Sequence, residues 1–304
     1  MVGCMNIIRA DVLGFCGGVR RAVTSAQKAL DENKAGTVYT LGPLIHNPVA
    51  LNELASRGLK VLVPSAIPAL QKNDTVLIRA HGVPPSMESD LRRHCDTVIN
   101  ATCPLVTQSQ KRAADFASQG YTIVFAGDKN HGEVVGIQGY AEEAARAHGL
   151  VCDFRLIRSA DEAAALCTSG AFKAPGGAPQ KIVLFSQTTF SIKEWDAICA
   201  VLKENVPAIE VYRTICPATH ERQDALVRLC AQVDGVIIIG GKNSSNTNRL
   251  FATAQKRCRR AALIETADEI PADFYDLQTV GITAGASTPD NVIAAVEKRL
   301  SQGR

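Results

Sequence analysis

Three cysteines share one setting. Cys16, Cys103 and Cys216 each close a strand-like segment, in IIRADVLGFC, TVINATC and IEVYRTIC, and each precede an amphipathic stretch with helical spacing. Thiols at strand-to-helix turns lie where layered α/β folds collect their functional groups. A second set of polar residues stands four positions after a glycine: His46 after Gly42, His131 after Gly127 and Ser244 after Gly240. A third set ends later strand-like runs, with TVLIRAHG reaching His81, KIVLFSQTT reaching Thr188 and TVGITAGAS reaching Ser287. Taken singly, Thr188 and Ser287 would cap the helices that follow, and His81 would be a hydrogen-bonded loop residue. Their recurrence favours a common centre. In GGKNSSNTN, Ser244, Ser245 and Asn246 offer hydroxyls, an amide and backbone N–H groups at an expected helix start, the chemistry of an anion cradle. Three histidines beside such a cradle suit a phosphate or diphosphate.

The residues recur because the chain repeats itself. Residues 101–133 align without a gap to residues 214–246, and seven of these 33 positions are identical, including Cys103 with Cys216, Pro104 with Pro217, Gly127 with Gly240 and Asn130 with Asn243. About two would match by chance. A looser copy begins at Cys16 and reaches Gly42 two residues late. Three related α/β units are therefore expected: 14–100 with Cys16, His46 and His81; 101–213 with Cys103, His131, Glu133 and Thr188; and 214–304 with Cys216, Ser244, Asn246 and Ser287. The segment 1–13 is expected to pack on the third.

Strands are expected near 5–9, 38–41, 75–79, 97–100, 121–126, 181–185, 209–213, 236–239 and 279–283, with helices between most of them. The apolar runs TIVFA, KIVLF and GVIIIG are continuous, as in parallel strands buried on both faces. AFKAPGGAPQ, 171–180, reads as a surface connection. GFCGGV fails the spacing of a dinucleotide-binding glycine loop, so its glycines are expected to admit a bulky group instead.

Composition narrows the class. The chain has 304 residues, 46% of them hydrophobic, enough for a large core and for two or three domains. A formal charge of +3 is far from the dense positive face of a nucleic-acid binder. No run approaches a membrane span and MVGCMNIIRADVLG lacks the pattern of a secretory leader, so a soluble, cytoplasmic protein with no membrane partner is expected. Ten cysteines in such a chain do not form a disulfide framework. Cys199, Cys230 and Cys258 in helix-like segments, and the scattered Cys4, Cys152 and Cys167, read as small buried hydrophobes. Cys95, after His94, would allow a zinc site shared with Cys103, but no further Cys or His pair completes it.

In order along the chain, GFCGGV, LGPLIHNP, RAHGV, ATCPLVT, HGEVVG, SQTT, TICPAT, GGKNSSNTNRL and TAGAS resemble the motifs of the 4-hydroxy-3-methylbut-2-enyl diphosphate reductase family. The resemblance implies three α/β domains in pseudo-threefold arrangement around a central 4Fe-4S cluster held by Cys16, Cys103 and Cys216. It implies a substrate pocket lined by His46, His81, His131, Thr188, Ser244, Ser245, Asn246 and Ser287, with Glu133 as proton donor. Three thiolates leave one iron open to the substrate's allylic hydroxyl. Two electrons and two protons then enter, water leaves, and protonation at either end of the allyl system gives isopentenyl or dimethylallyl diphosphate. Two positions depart from the family pattern: Gly132, where many members have proline, and His220 after TICPAT.

A rival reading makes His46, His81, His131 and Glu133 metal ligands of a phosphate-ester hydrolase or a sugar-phosphate binder. On the first reading no flavin or nicotinamide fingerprint is present, so electrons are expected from an external carrier such as a ferredoxin or flavodoxin. The run Lys256, Arg257, Arg259 and Arg260 reads as a solvated helix face, with docking of that acidic carrier as the alternative.

Overall fold

The computed structural model describes residues 5–172 and 180–303. Cys4 and most of the connection expected at 171–180 lie outside these residues. Strands and helices alternate along the chain: β1 Asn6–Arg9, α1 Gly17–Glu32, β2 Val38–Leu41, α2 Pro48–Ser56, β3 Lys60–Leu62, β4 Thr75–Ile78, α3 Pro85–His94 and β5 Thr97–Asn100. They continue with α4 Pro104–Ser118, β6 Thr122–Ala126, α5 Gly132–Ala147, β7 Asp153–Ile157, α6 Ala160–Thr168, β8 Ile182–Ser186, α7 Ile192–Asn205 and β9 Glu210–Val211. The last are α8 Pro217–Cys230, β10 Gly235–Ile239, α9 Ser245–Arg257, β11 Ala261–Ile264, β12 Thr279–Ala284 and α10 Asp290–Gln302.

The strands form three four-stranded sheets, in the orders β3-β2-β4-β5, β7-β6-β8-β9 and β11-β10-β12-β1. These are one topology written three times. In each, the strand after the cysteine-led helix sits second, its successor takes the edge beside it, and the third strand crosses to the other side. In the third sheet the fourth place is taken by β1, which pairs in parallel with β12. Each cysteine thus follows a strand in the fourth place of a sheet: Cys16 after β1, Cys103 after β5 and Cys216 after β9. The gapless 113-residue spacing survives in three dimensions, since α4 and α8, β6 and β10, and α5 and α9 begin at paired positions.

Three strands went unforeseen, and all three are edges. The β3 strand exposes Val61 at 54%, β7 reads DFRLI with only its last residue buried, and β11 buries alternate residues. An edge strand keeps one side in water and needs no unbroken apolar run, so its sequence lacks the signal that marks β6, β8 and β10, which are buried throughout.

The chain divides into two compact units, one of residues 1–63, 73–77 and 217–304, the other of residues 64–72 and 78–216. In the first, alternate residues of β10 face opposite layers. Ile237 and Ile239 pack with Val292, Ile293 and Val296 of α10, and Val236 and Ile238 pack with Leu226, Leu229 and Leu250 of α8 and α9. In the second, Val124 and Leu184 pack with Trp195 and Ile198 of α7, and Ile123, Phe125 and Phe185 pack with Val134 and Ile137 of α5. This two-sided burial fixes the strand register, and with it the turns that carry the functional residues. Among the described residues no helix is long and apolar enough to cross a membrane.

Candidate active site

In the first unit the turns after β1, β2, β10 and β12 are tied to one another. Cys16 caps α1, its Sγ accepting the Val19 N–H at 3.5 Å, and its own N–H donates to Ala286 O at 3.0 Å. The neighbouring Ser287 donates its hydroxyl to His46 O at 3.0 Å. Ser244 caps α9, accepting the Thr247 N–H at 3.3 Å, which leaves the Ser244 hydroxyl proton available to a ligand. Asn246 is 4% exposed, and neither its Oδ1 nor its Nδ2 has a hydrogen-bond partner. A buried amide with nothing to bond inside the protein is costly, and it fits a residue whose partner is a ligand.

The second unit holds the other cysteines and the acid. The Cys103 N–H donates to Ala80 O, next to His81, and the Cys216 N–H donates to Thr188 O, each at 2.9 Å. The His81 and His131 rings meet edge to face with centroids 5.2 Å apart. His131 caps α5, its Nδ1 accepting the Glu133 N–H at 3.2 Å. Glu133 is 1% exposed and accepts two hydrogen bonds of 2.7 Å from Thr188, one from the backbone N–H and one from the hydroxyl. Burial drives its pKa up to about 7, against the downward pull of the Thr188 bonds, with Asp128 adding a smaller upward push. A buried carboxyl that shares its proton with a neighbouring hydroxyl near neutral pH is equipped for acid chemistry.

The sequence readings are corrected at several points. Neither Thr188 nor Ser287 caps a helix: Ser191 caps α7 and Pro289 precedes α10, so both hydroxyls are given to the contacts just described. The cysteine N–H bonds also set the register of the three strand ends, pairing Thr188 with Ala80 and Ala286. Thr188 therefore stands one residue before the level of His81 and Ser287. The zinc site at Cys95 is not formed, because that thiol is 1% exposed and donates to the carbonyls of Leu91 and Thr97. Each Glu133 oxygen accepts one hydrogen bond from Thr188, so that residue holds the carboxylate in place. His220 lies in the first turn of α8 and pairs with Asp224 at 3.0 Å. The run at Lys256 ends α9, about 20 Å along that helix from its Ser244 cap. Arg260 pairs with Asp273 at 3.6 Å, while Lys256, Arg257 and Arg259 are exposed.

The cysteines separate into two kinds. Cys16, Cys103 and Cys216 stand at helix starts and are partly exposed. Burial instead holds Cys152, Cys199 and Cys230 as thiols, with pKa values pushed up to about 11. Of these six, the first three stand at helix starts that follow a strand.

Four further residues shape the site and were not singled out. Gln187 is fully buried; its Oε1 accepts the Asp128 N–H at 2.9 Å and its amide donates to Thr189 Oγ1 at 2.7 Å, which fastens the His131 turn to the Thr188 turn. Its signal was the motif SQTT itself. Arg222, 3% exposed, donates to Gly14 O at 2.6 Å and holds the loop that leads to Cys16. Nothing in ATHERQ distinguishes it from a surface arginine. Arg79 lies against Gly132. Gly241 packs on the His46 turn, where a Cβ would fall 2.3 Å from His46 O. Gly241→Ala must therefore displace backbone rather than a side chain. It is expected to destabilise the protein by about 1–3 kcal/mol and to weaken anion binding, checked by denaturant unfolding beside calorimetric titration of inorganic pyrophosphate.

Comparison with known proteins agrees with this layout. A family model described as LytB protein matches residues 7–301. A Treponema denticola protein named 4-hydroxy-3-methylbut-2-enyl diphosphate reductase is 42% identical, the match covering 98% of this chain and 100% of that one. Its namesake from Aquifex aeolicus is 38% identical over 98% and 96% of the two chains. A solved structure described as (E)-4-hydroxy-3-methyl-but-2-enyl diphosphate reductase, the terminal enzyme of the non-mevalonate pathway, superposes with a TM-score of 0.69 at 36% identity, over 98% and 99% of the chains. The Plasmodium falciparum reductase structure superposes at 0.84 with 24% identity, over 97% and 87%, and speaks for the fold alone.

Proposed function

Because the chain belongs to the LytB family, we propose that it reduces (E)-4-hydroxy-3-methylbut-2-enyl diphosphate to isopentenyl and dimethylallyl diphosphate, the last step of the non-mevalonate route. Two electrons and two protons enter and water leaves. The observation that carries the reading is the Glu133–Thr188 pair: a buried carboxyl poised near neutral pH, bonded to a hydroxyl, two residues from a histidine that caps a helix.

Members of this family bind an iron–sulfur cluster. The shared placement of Cys16, Cys103 and Cys216, each partly exposed at the start of a helix, supports these three as ligands of a 4Fe-4S centre with one iron left to the substrate. When bound, that centre supplies electrons and a Lewis acid for the allylic hydroxyl. The other tasks fall to the chain. His46, His81 and His131 hold the diphosphate by charge-assisted hydrogen bonds, with Ser244, Ser245, Asn246 and Ser287 as neutral donors. The unpartnered amide of Asn246 supports its part in this. Protonated Glu133 donates through Oε2 to Thr188 Oγ1, which passes its own proton outward, so one buried acid serves as proton source without entering the pocket itself. Electrons come from an external one-electron carrier of the ferredoxin or flavodoxin class.

The first test is colour. The anaerobically purified protein is expected to be brown, with broad absorption at about 400 nm and iron and sulfide bound. It should also convert the substrate when given a chemical reductant. A colourless protein carrying zinc or manganese would return the rival hydrolase reading.

A further inference from the structure

Arg79 is a cation of the second unit whose setting no described residue of that unit explains. It follows β4, two residues before His81. Its guanidinium lies against the first residue of α5, so that a Cβ added to Gly132 would fall 2.6 Å from one terminal nitrogen and 2.8 Å from the guanidinium carbon. Its Nε is buried without a hydrogen-bond partner, and no carboxylate pairs with the side chain among the described residues. Burial lowers its pKa from the usual arginine range, with no acidic neighbour offsetting the loss.

This placement is unfavourable on every internal count. A guanidinium partly withdrawn from water without a counter-ion loses hydration at Nε that no protein group replaces. The start of a helix carries positive partial charge, so a cation there is repelled. The cap itself is filled by His131, which leaves Arg79 no capping role. One kind of group offsets both costs. An anion at the start of α5 would take hydrogen bonds from the planar guanidinium and would sit at the positive helix end.

We propose that Arg79 is a further substrate-binding residue, giving the substrate's diphosphate a charge-assisted hydrogen bond beside His81 and His131, and that Gly132 is the residue that makes room for it. The inference rests on the diphosphate reading above and extends its polar set by one permanent cation. Unlike the histidines, arginine stays charged at every working pH, so it would hold diphosphate binding when the pH rises.

The probe is inorganic pyrophosphate, titrated calorimetrically into the anaerobic, cluster-loaded protein. Arg79→Ala is expected to weaken its binding by roughly 10- to 100-fold, the range of a hydrogen bond to a charged group. Arg79→Lys should recover only part of this, because an ammonium cannot offer the paired donors of the fork. Gly132→Ala, which pushes the guanidinium off α5 while keeping it in the protein, should weaken binding in the same direction. With substrate, Arg79→Ala should raise KM more than it lowers kcat, because the diphosphate is held alike in ground and transition states. Circular dichroism and iron content guard against misfolding. Wild-type affinity for pyrophosphate in both folded Arg79 variants would overturn the role of Arg79 alone. No pyrophosphate binding by the wild type would overturn the diphosphate reading on which it stands.

Discussion

Glu133→Gln is expected to lower turnover by about 10²-fold or more while leaving the cluster spectrum and pyrophosphate binding unchanged. Glutamine can keep the local geometry. Its oxygen can accept the Thr188 N–H and its amide can donate to Thr188 Oγ1, the pattern of the neutral acid, so the pair at 2.7 Å has no reason to separate. What it cannot do is release a proton. The comparison is to be made under anaerobic conditions with turnover, absorption and binding recorded together. Turnover within a few-fold of wild type, with the spectrum intact, would move the proton source away from Glu133.

The same residue dictates two pH effects of known sign. With a pKa near 7, the acid form is the major one below that value and falls about tenfold per pH unit well above it. Wild-type kcat/KM should therefore carry a limb that declines as pH rises through about 7, and the residual activity of Glu133→Gln should lack it. Stability follows the linkage rule. The folded pKa lies above the ordinary value of 4.5, so the folded state binds the proton more tightly than the unfolded chain. The benefit is complete below about pH 4.5 and is lost as pH rises through about 7, a change on the order of 3 kcal/mol. Glu133→Gln, always neutral, should escape that loss and unfold at higher denaturant than wild type at pH 8.

Much of this was legible in the sequence because repetition and burial leave marks there. The gapless match of 101–133 to 214–246 located two cysteine turns, two buried strands and two helix starts at once, and the continuous apolar runs marked the central strands of two of the three sheets. The edges were hidden, since β3, β7 and β11 face water and carry charged or alternating residues. The segment 1–13 was expected on the third unit, and β1 does join that sheet; its parallel register against β12, more than 200 residues away, is what no local pattern records. Within the site, residue type revealed the donors. The supports were silent, because Gln187, Arg222 and Gly241 act by what they touch. The environment of Glu133 was silent as well: it is a buried acid raised chiefly by desolvation, and no local pattern records that burial.

Cys103→Ser is expected to abolish the absorption at about 400 nm and strip the bound iron, and Cys16→Ser and Cys216→Ser should do the same. A serine hydroxyl is not ionised at neutral pH and is a hard ligand where iron–sulfur chemistry needs a soft one, so the substitution removes the bond while barely changing the volume. The backbone that positions each residue does not depend on the sulfur. The N–H bonds from Cys16 to Ala286, Cys103 to Ala80 and Cys216 to Thr188 are available to serine as well, so the helices α1, α4 and α8 should start where they do now. Cys199→Ser and Cys230→Ser are the matched controls. Both thiols sit in helices and are held protonated by burial, with pKa values near 11, so neither is prepared to bind iron. These two variants should keep full iron content and spectrum, though with some loss of stability from a hydroxyl placed in an apolar layer. Iron and sulfide analysis beside far-ultraviolet circular dichroism separates a lost ligand from a lost fold. A folded Cys103→Ser that retains wild-type iron would remove that residue from the cluster, and a colourless Cys199→Ser with intact secondary structure would show that repeat position is not what selects the ligands.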